Sequence, residues 1–130
     1  MKQLIILSGT LIMLSTGIFL YSFVMQSEKL RHVVVFKFRQ DADEDKIRKV
    51  TAAFRNLKEQ IPGITSFEHG LNNSPEGKNL GFTHVYLLTF ENEAARDAYL
   101  PHPQHKLFGR MLGEQGILED VFVVDYVPQP

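Results

Sequence analysis

Tyr99, His102 and His105 stand within the stretch YLPHPQHKLF at 99–108, and no other part of the chain gathers proton-handling groups so closely. An imidazole titrates near neutrality, so it can take a proton in one step and return it in another. A tyrosine hydroxyl can donate a hydrogen bond to a carbonyl oxygen as negative charge grows there. Beside an apolar cavity, that pairing suits proton abstraction next to a carbonyl, and hence aldol closure, isomerisation or decarboxylation. Pro101 and Pro103 lie between Tyr99 and His105, so a helix end and a helix start intervene and proximity depends on the turn. Three roles stay open for the pair: acid–base catalysis, lining a ligand pocket without turnover, or plain structure. In the structural case His102 supplies the cap of a helix beginning at Pro103, and Tyr99 packs its ring.

Other chemistries are poorly served. The chain has no cysteine, which removes disulfides, thiolate catalysis, Cys-ligated zinc and an acylated lipoprotein cysteine. His102 and His105 are separated by Pro103 and do not share a helical face, so no metal site is expected. No Walker loop, GxGxxG or serine-nucleophile motif occurs, and no cofactor is expected. Fourteen Lys+Arg face fifteen Asp+Glu. Without the first 26 residues the balance shifts only by the loss of Lys2, so there is no basic stripe for nucleic acid.

The elements that must position these groups follow from periodicity. RHVVVFKFR (31–39) reads as a strand with His32, Val34, Phe36 and Phe38 on one face and Val33, Val35 and Lys37 on the other. Ile47, Val50, Phe54, Leu57 and Ile61 recur at helical spacing, and Pro62-Gly63 ends that helix. ITSFEHGL (64–71) alternates with Phe67, His69 and Leu71 on one side, and NNSPEGKNLG (72–81) is a long polar loop. FTHVYLLTF (82–90) predicts a central strand carrying His84, Tyr86, Leu88 and Phe90 on one face. A short helix over 91–100, a second from Pro103 and a last strand over 117–128 complete the order.

The result is an α+β, ferredoxin-like β-α-β-β-α-β domain with the helices on one face of a four-stranded sheet. The other face is also apolar, and a second copy is the economical cover, giving a homodimeric α/β barrel. In this topology the first and last strands are antiparallel neighbours, so Asp125 is expected beside His32. His84 starts a strand antiparallel to the first and falls toward the opposite end from His32, so one compact site using both does not follow.

Residues 4–25, LIILSGTLIMLSTGIFLYSFVM, carry no charge. As a helix this run would rise roughly 33 Å, enough to cross a hydrocarbon core. Segment 1–29 is therefore expected to be a signal-anchor or, alternatively, a cleaved export signal, with 30–128 as the folded domain. The expected location is membrane-anchored facing the extracytoplasmic side, or exported.

LRHVVVFKFR, GFTHVYLLTFENEAARDAYLPHPQHKLF and VFVVDY together resemble the Dabb family of stress-responsive A/B-barrel domains, across about residues 30–127. The resemblance implies a dimeric α+β barrel. One plant member closes a linear polyketide by aldol condensation, and its tyrosine–histidine pair falls on Tyr99 and His105 here, with His32 and His84 as further pocket-lining histidines. It implies a small-molecule-binding module for an apolar carbonyl ligand, or alternatively a cofactor-free cyclase or isomerase. A cofactor-independent monooxygenase follows only by analogy with related barrels. The N-terminal apolar segment departs from the soluble plant members.

Overall fold

The computed structural model describes residues 28–130. The apolar run 4–25, with the anchoring or export role expected for it, lies outside the described residues. Among the described residues no helix is long and apolar enough to cross a membrane.

Four strands and three helices follow in the order β1 (Leu30–Phe38), α1 (Glu44–Gln60), β2 (Ile64–Leu71), β3 (His84–Phe90), α2 (Glu93–Tyr99), α3 (Pro103–Gln115) and β4 (Leu118–Tyr126). The strands form one antiparallel sheet in the order β2-β3-β1-β4. This is the ferredoxin-like arrangement anticipated from the sequence.

The ends of α1 show why it forms where it does. Asp43 caps it by accepting from the Lys46 amide at 3.0 Å, and Glu44 and Asp45 place negative charge against the positive end of the helix dipole. Ile47, Val50, Phe54 and Leu57 bury one stripe, and Ile61 at the C-cap is buried with them. The turn out of α1 needs Gly63, whose φ is +89° and whose missing Cβ would lie 2.6 Å from the Ala95 Cβ on α2. Gly63→Ala is therefore expected to lower stability by about 1–3 kcal/mol, combining left-handed strain with a clash. Urea denaturation measures it, and an unchanged midpoint would contradict this packing.

Residues directly opposite on antiparallel strands share a face. On the helix side, Phe36, Phe54, Tyr86 and Phe108 fill the interior; Phe36 and Phe54 rings stack at 6.0 Å and Phe54 and Phe108 at 4.7 Å. Across the other face run Val33 and Val35 of β1, flanked by Leu87 and Val85 on β3 and by Val124 and Phe122 on β4. No element of the described chain covers them; Phe122 and Val124 remain 53% and 43% exposed. The expectation that the second face is apolar holds, and of the two alternating sets along β1 it is Val33 and Val35 that carry it.

β3 begins at His84, two residues later than its alternation suggests. A local turn captures the missing part: the Phe82 amide donates to the Asn79 carbonyl at 2.8 Å, and the Asn79 side-chain amide donates to the Phe82 carbonyl at 3.0 Å. The Phe82 ring then lies edge-on to Phe122, 6.4 Å away.

Candidate functional site

The antiparallel directions bring one end of three elements together: the start of β1, the α2–α3 junction and the end of β4. There the inner-face alternation of β1 buries His32, which is 5% exposed. Opposite it in register is Asp125, and the His32 Nδ1 donates to the Asp125 carboxylate at 2.5 Å. The neighbourhood expected between these two is realised. Asp125 also receives the guanidinium of Arg96 from α2, so one carboxylate ties β4 to both β1 and α2.

Burial is the larger influence on His32 and holds its pKa below the usual imidazole value, against the raising effect of Asp125. With Asp125 accepting at Nδ1, the neutral His32 has its proton fixed on that nitrogen.

Tyr99 closes α2 and is 1% exposed. Its ring is 5.7 Å from that of His32, 5.1 Å from Phe90 and 4.1 Å from that of His105. Burial, then the negative charge of Asp125, push the phenol pKa well above its ordinary value. Its proton is retained across the neutral range, as a hydrogen-bond donor requires.

The turn through Pro101 and Pro103 is what brings His105 back onto Tyr99. His102 occupies the N-cap of α3, its Nδ1 accepting from the Gln104 amide at 3.2 Å, with Pro103 in the first turn. His105 lies in the first turn beyond that cap, and its Nδ1 is 3.0 Å from the Leu100 carbonyl. A carbonyl can only accept, so the neutral ring carries its proton on Nδ1 and presents Nε2 as a lone pair. The opening stretch is thus both a helix junction and the frame of a tyrosine–histidine contact.

His84 is not part of this corner. It pairs with Phe36, whereas His32 pairs with Leu88, placing the two histidines at opposite ends of the sheet as strand direction required. Its ring meets Phe38 at 4.8 Å, and burial holds its pKa below the usual value. A single pocket rimmed by His32, His84, Tyr99 and His105 is therefore not formed within one chain. His69 is exposed, and its Nε2 accepts from Arg55 at 2.5 Å. Among the described residues no cluster of His, Asp and Glu could hold a metal ion.

Beside the corner, α3 leaves the helix side of β4 bare. Val121 and Val123, opposite Phe36 and Val34, are 45% and 50% exposed. They form an apolar shelf leading along the strand to Asp125. A separate groove of about 190 Å³ lies between α1 and α3, lined by Leu57, Gln60, Gln104, Leu107 and Phe108, and contains none of the candidate residues.

The model of the stress responsive A/B barrel domain, Dabb, matches residues 30–128. This chain belongs to the Dabb family. It is 31% identical over 99 residues to the stress-response A/B barrel domain-containing protein HS1 of Arabidopsis thaliana, covering 76% of this chain and 89% of that protein. It is 27% identical over 100 residues to olivetolic acid cyclase of Cannabis sativa, covering 77% of this chain and 97% of the cyclase. Among solved structures, a dimeric ferredoxin-like protein from Jannaschia sp. shares 33% identity at a TM-score of 0.64, over 75% of this chain and 97% of the other.

Within this Dabb domain, Arg96 is the polar member of the corner that pattern reading missed. The signal was available: Arg96 lies three residues before Tyr99 on one short helix, and that spacing puts both on one face.

Proposed function

We propose that this Dabb protein is a homodimer, closed through the outer sheet face, whose subunits each bind a small, largely apolar carbonyl compound where Tyr99, His105 and His32 meet. The observation that carries the reading is the 4.1 Å contact of Tyr99 with His105, whose Nδ1 is anchored on the Leu100 carbonyl. It leaves a fixed lone pair beside a phenol that stays protonated, with the Val121–Val123 shelf adjoining. The dimeric Jannaschia relative and the apolar face of Val33, Val35 and Leu87 support the assembly. The uncharged run 4–25 supports a membrane tether or export of the domain.

A second reading, turnover without a cofactor, is favoured by the same fixed tautomer. Nε2 of His105 would take the proton from the carbon next to the ligand carbonyl. The electron pair of that C–H bond would move toward the oxygen, where the Tyr99 hydroxyl donates a hydrogen bond. Likeness to olivetolic acid cyclase supports a carbonyl-bearing substrate class.

The test is calorimetric titration of the full chain with olivetolic acid as an apolar, carboxyl-bearing probe. His105→Ala is expected to weaken binding by about tenfold, the effect of one hydrogen bond of roughly 1.4 kcal/mol. His84→Ala, at the far end of the sheet, is expected to leave it within about twofold. Equal affinities for wild type and His105→Ala would remove this site.

A further inference from the structure

The binding corner lies at the end of the domain where β1 begins, the end to which the sequence joins the uncharged run 4–25. β1 starts at Leu30, five steps after Met25, the last residue of the uncharged run. Even fully extended, those steps span at most about 18 Å. His32 is two residues further, adding roughly 7 Å along the strand. The rings of Tyr99 and His105 follow within 5.7 Å and 4.1 Å of successive neighbours. At the same end Leu100 and Tyr126 are 47% and 48% exposed. The opposite end of the sheet, with the loop that carries Leu80, is further away by about 25 Å, the length of a nine-residue strand.

Combining these observations with the binding and membrane-tether readings above, on which this rests, we infer that the corner faces the bilayer and takes a membrane-resident amphiphile with a carbonyl head and an alkyl tail. The headgroup zone of one leaflet is only about 5–8 Å deep, so a tether of this length keeps the corner within reach of lipid carbonyl groups. Leu100 and Tyr126 suit contact with that interface, an exposed apolar residue beside an amphipathic ring. Once the head is held at His105 and Tyr99, the half-exposed Val121 and Val123 offer an apolar bed for the tail. The charges on the elements that meet at this end are mixed, with Lys29 just before β1, Glu93 and Asp97 on α2 and Lys106 in the first turn of α3. Attraction to an acidic lipid is therefore not required, and phosphatidylcholine is a sufficient surface.

The chain contains no tryptophan, so one introduced indole reports its own surroundings. Leu100→Trp and, separately, Leu80→Trp would be placed in the full chain and reconstituted into phosphatidylcholine vesicles brominated on the upper acyl carbons. Quenching of the indole at position 100 is expected to exceed that at position 80 by about threefold or more, since contact quenching needs interfacial depth. Equal quenching, or stronger quenching at 80, overturns the inference. In the same vesicles, methyl 3-oxotetradecanoate is expected to shift the His105 imidazole resonance, and to do so at least about tenfold more effectively at equal total concentration than methyl 3-oxohexanoate. If both esters shift His105 equally, the site stands and the membrane-derived ligand falls. If neither does, the binding reading itself fails, while the quenching ratio still decides the orientation.

Discussion

Val35→Glu combined with Leu87→Glu is expected to leave the protein monomeric and folded. The two residues lie on adjacent strands of the outer face, Val35 opposite Val85 and Val33 opposite Leu87. Neither contributes to the interior built on Phe36, Phe54, Tyr86 and Phe108, so the monomer keeps its core. In a face-to-face dimer, each carboxylate would be buried among Val33, Val124 and Phe122 of two subunits with no cation positioned to meet it. Desolvating such charges costs several kcal/mol per ion, and two per subunit would weaken association by at least about a thousandfold. Sedimentation velocity of variant and wild type at equal detergent density reads the mass directly, and far-ultraviolet circular dichroism checks the fold. A variant that sediments as the wild type does would place the association elsewhere.

The second large effect concerns Asp125. Its carboxylate accepts from His32 and pairs with Arg96, joining β1, β4 and α2 at one atom group. Asp125→Asn keeps the shape and loses the charge that both partners face. Since the carboxylate and the guanidinium are each partly exposed, solvent screening moderates the loss, expected at about 1–3 kcal/mol. The pH dependence carries more information. Burial holds His32 and His84 below the ordinary imidazole pKa in the folded state. Above the unfolded value of about 6.5 both rings are neutral whether folded or not, and their contribution to stability is fully present. As the pH falls below that value, the unfolded chain takes up protons first, and stability drains until the folded pKa values are passed. In the wild type Asp125 raises the His32 pKa and limits this loss. Asp125→Asn removes that influence, so its stability should fall more steeply between pH 7.5 and 5.5 than the wild type's. Urea unfolding at the two pH values measures both slopes; a variant slope equal to or shallower than the wild type's would show that Asp125 does not govern His32.

Much of this corner was legible in the chain because strand alternation and topology together fix neighbours. Alternation put His32 on one face with Val34, Phe36 and Phe38 without saying which face is inward. The ferredoxin-like order put β4 beside β1, and antiparallel direction put Asp125 next to His32 and His84 far from both. The Tyr99–His105 contact was not legible in the same way. No helical or strand period relates the two residues, and their approach depends on the Pro101–Pro103 turn and on the bond from His105 to the Leu100 carbonyl. Arg96 was missed because charged residues on short helices are ordinarily solvated, and only packing of α2 over the sheet aims this one at Asp125. The late start of β3 had a similar origin: Phe82 fits the strand pattern, but Asn79 offers its backbone a competing local partner.

Contact between two outer sheet faces is the claim from which the barrel follows, and intermolecular nuclear Overhauser effects test it most directly. Isotope-labelled and unlabelled chains would be refolded together and only cross-subunit contacts recorded. The expected result is a set of effects joining the methyl groups of Val33, Val35 and Leu87 to protons of Phe122 and Val124 in the other subunit. Cross-subunit contacts confined to Leu107 and Met111 on α3, or none at all, would contradict it.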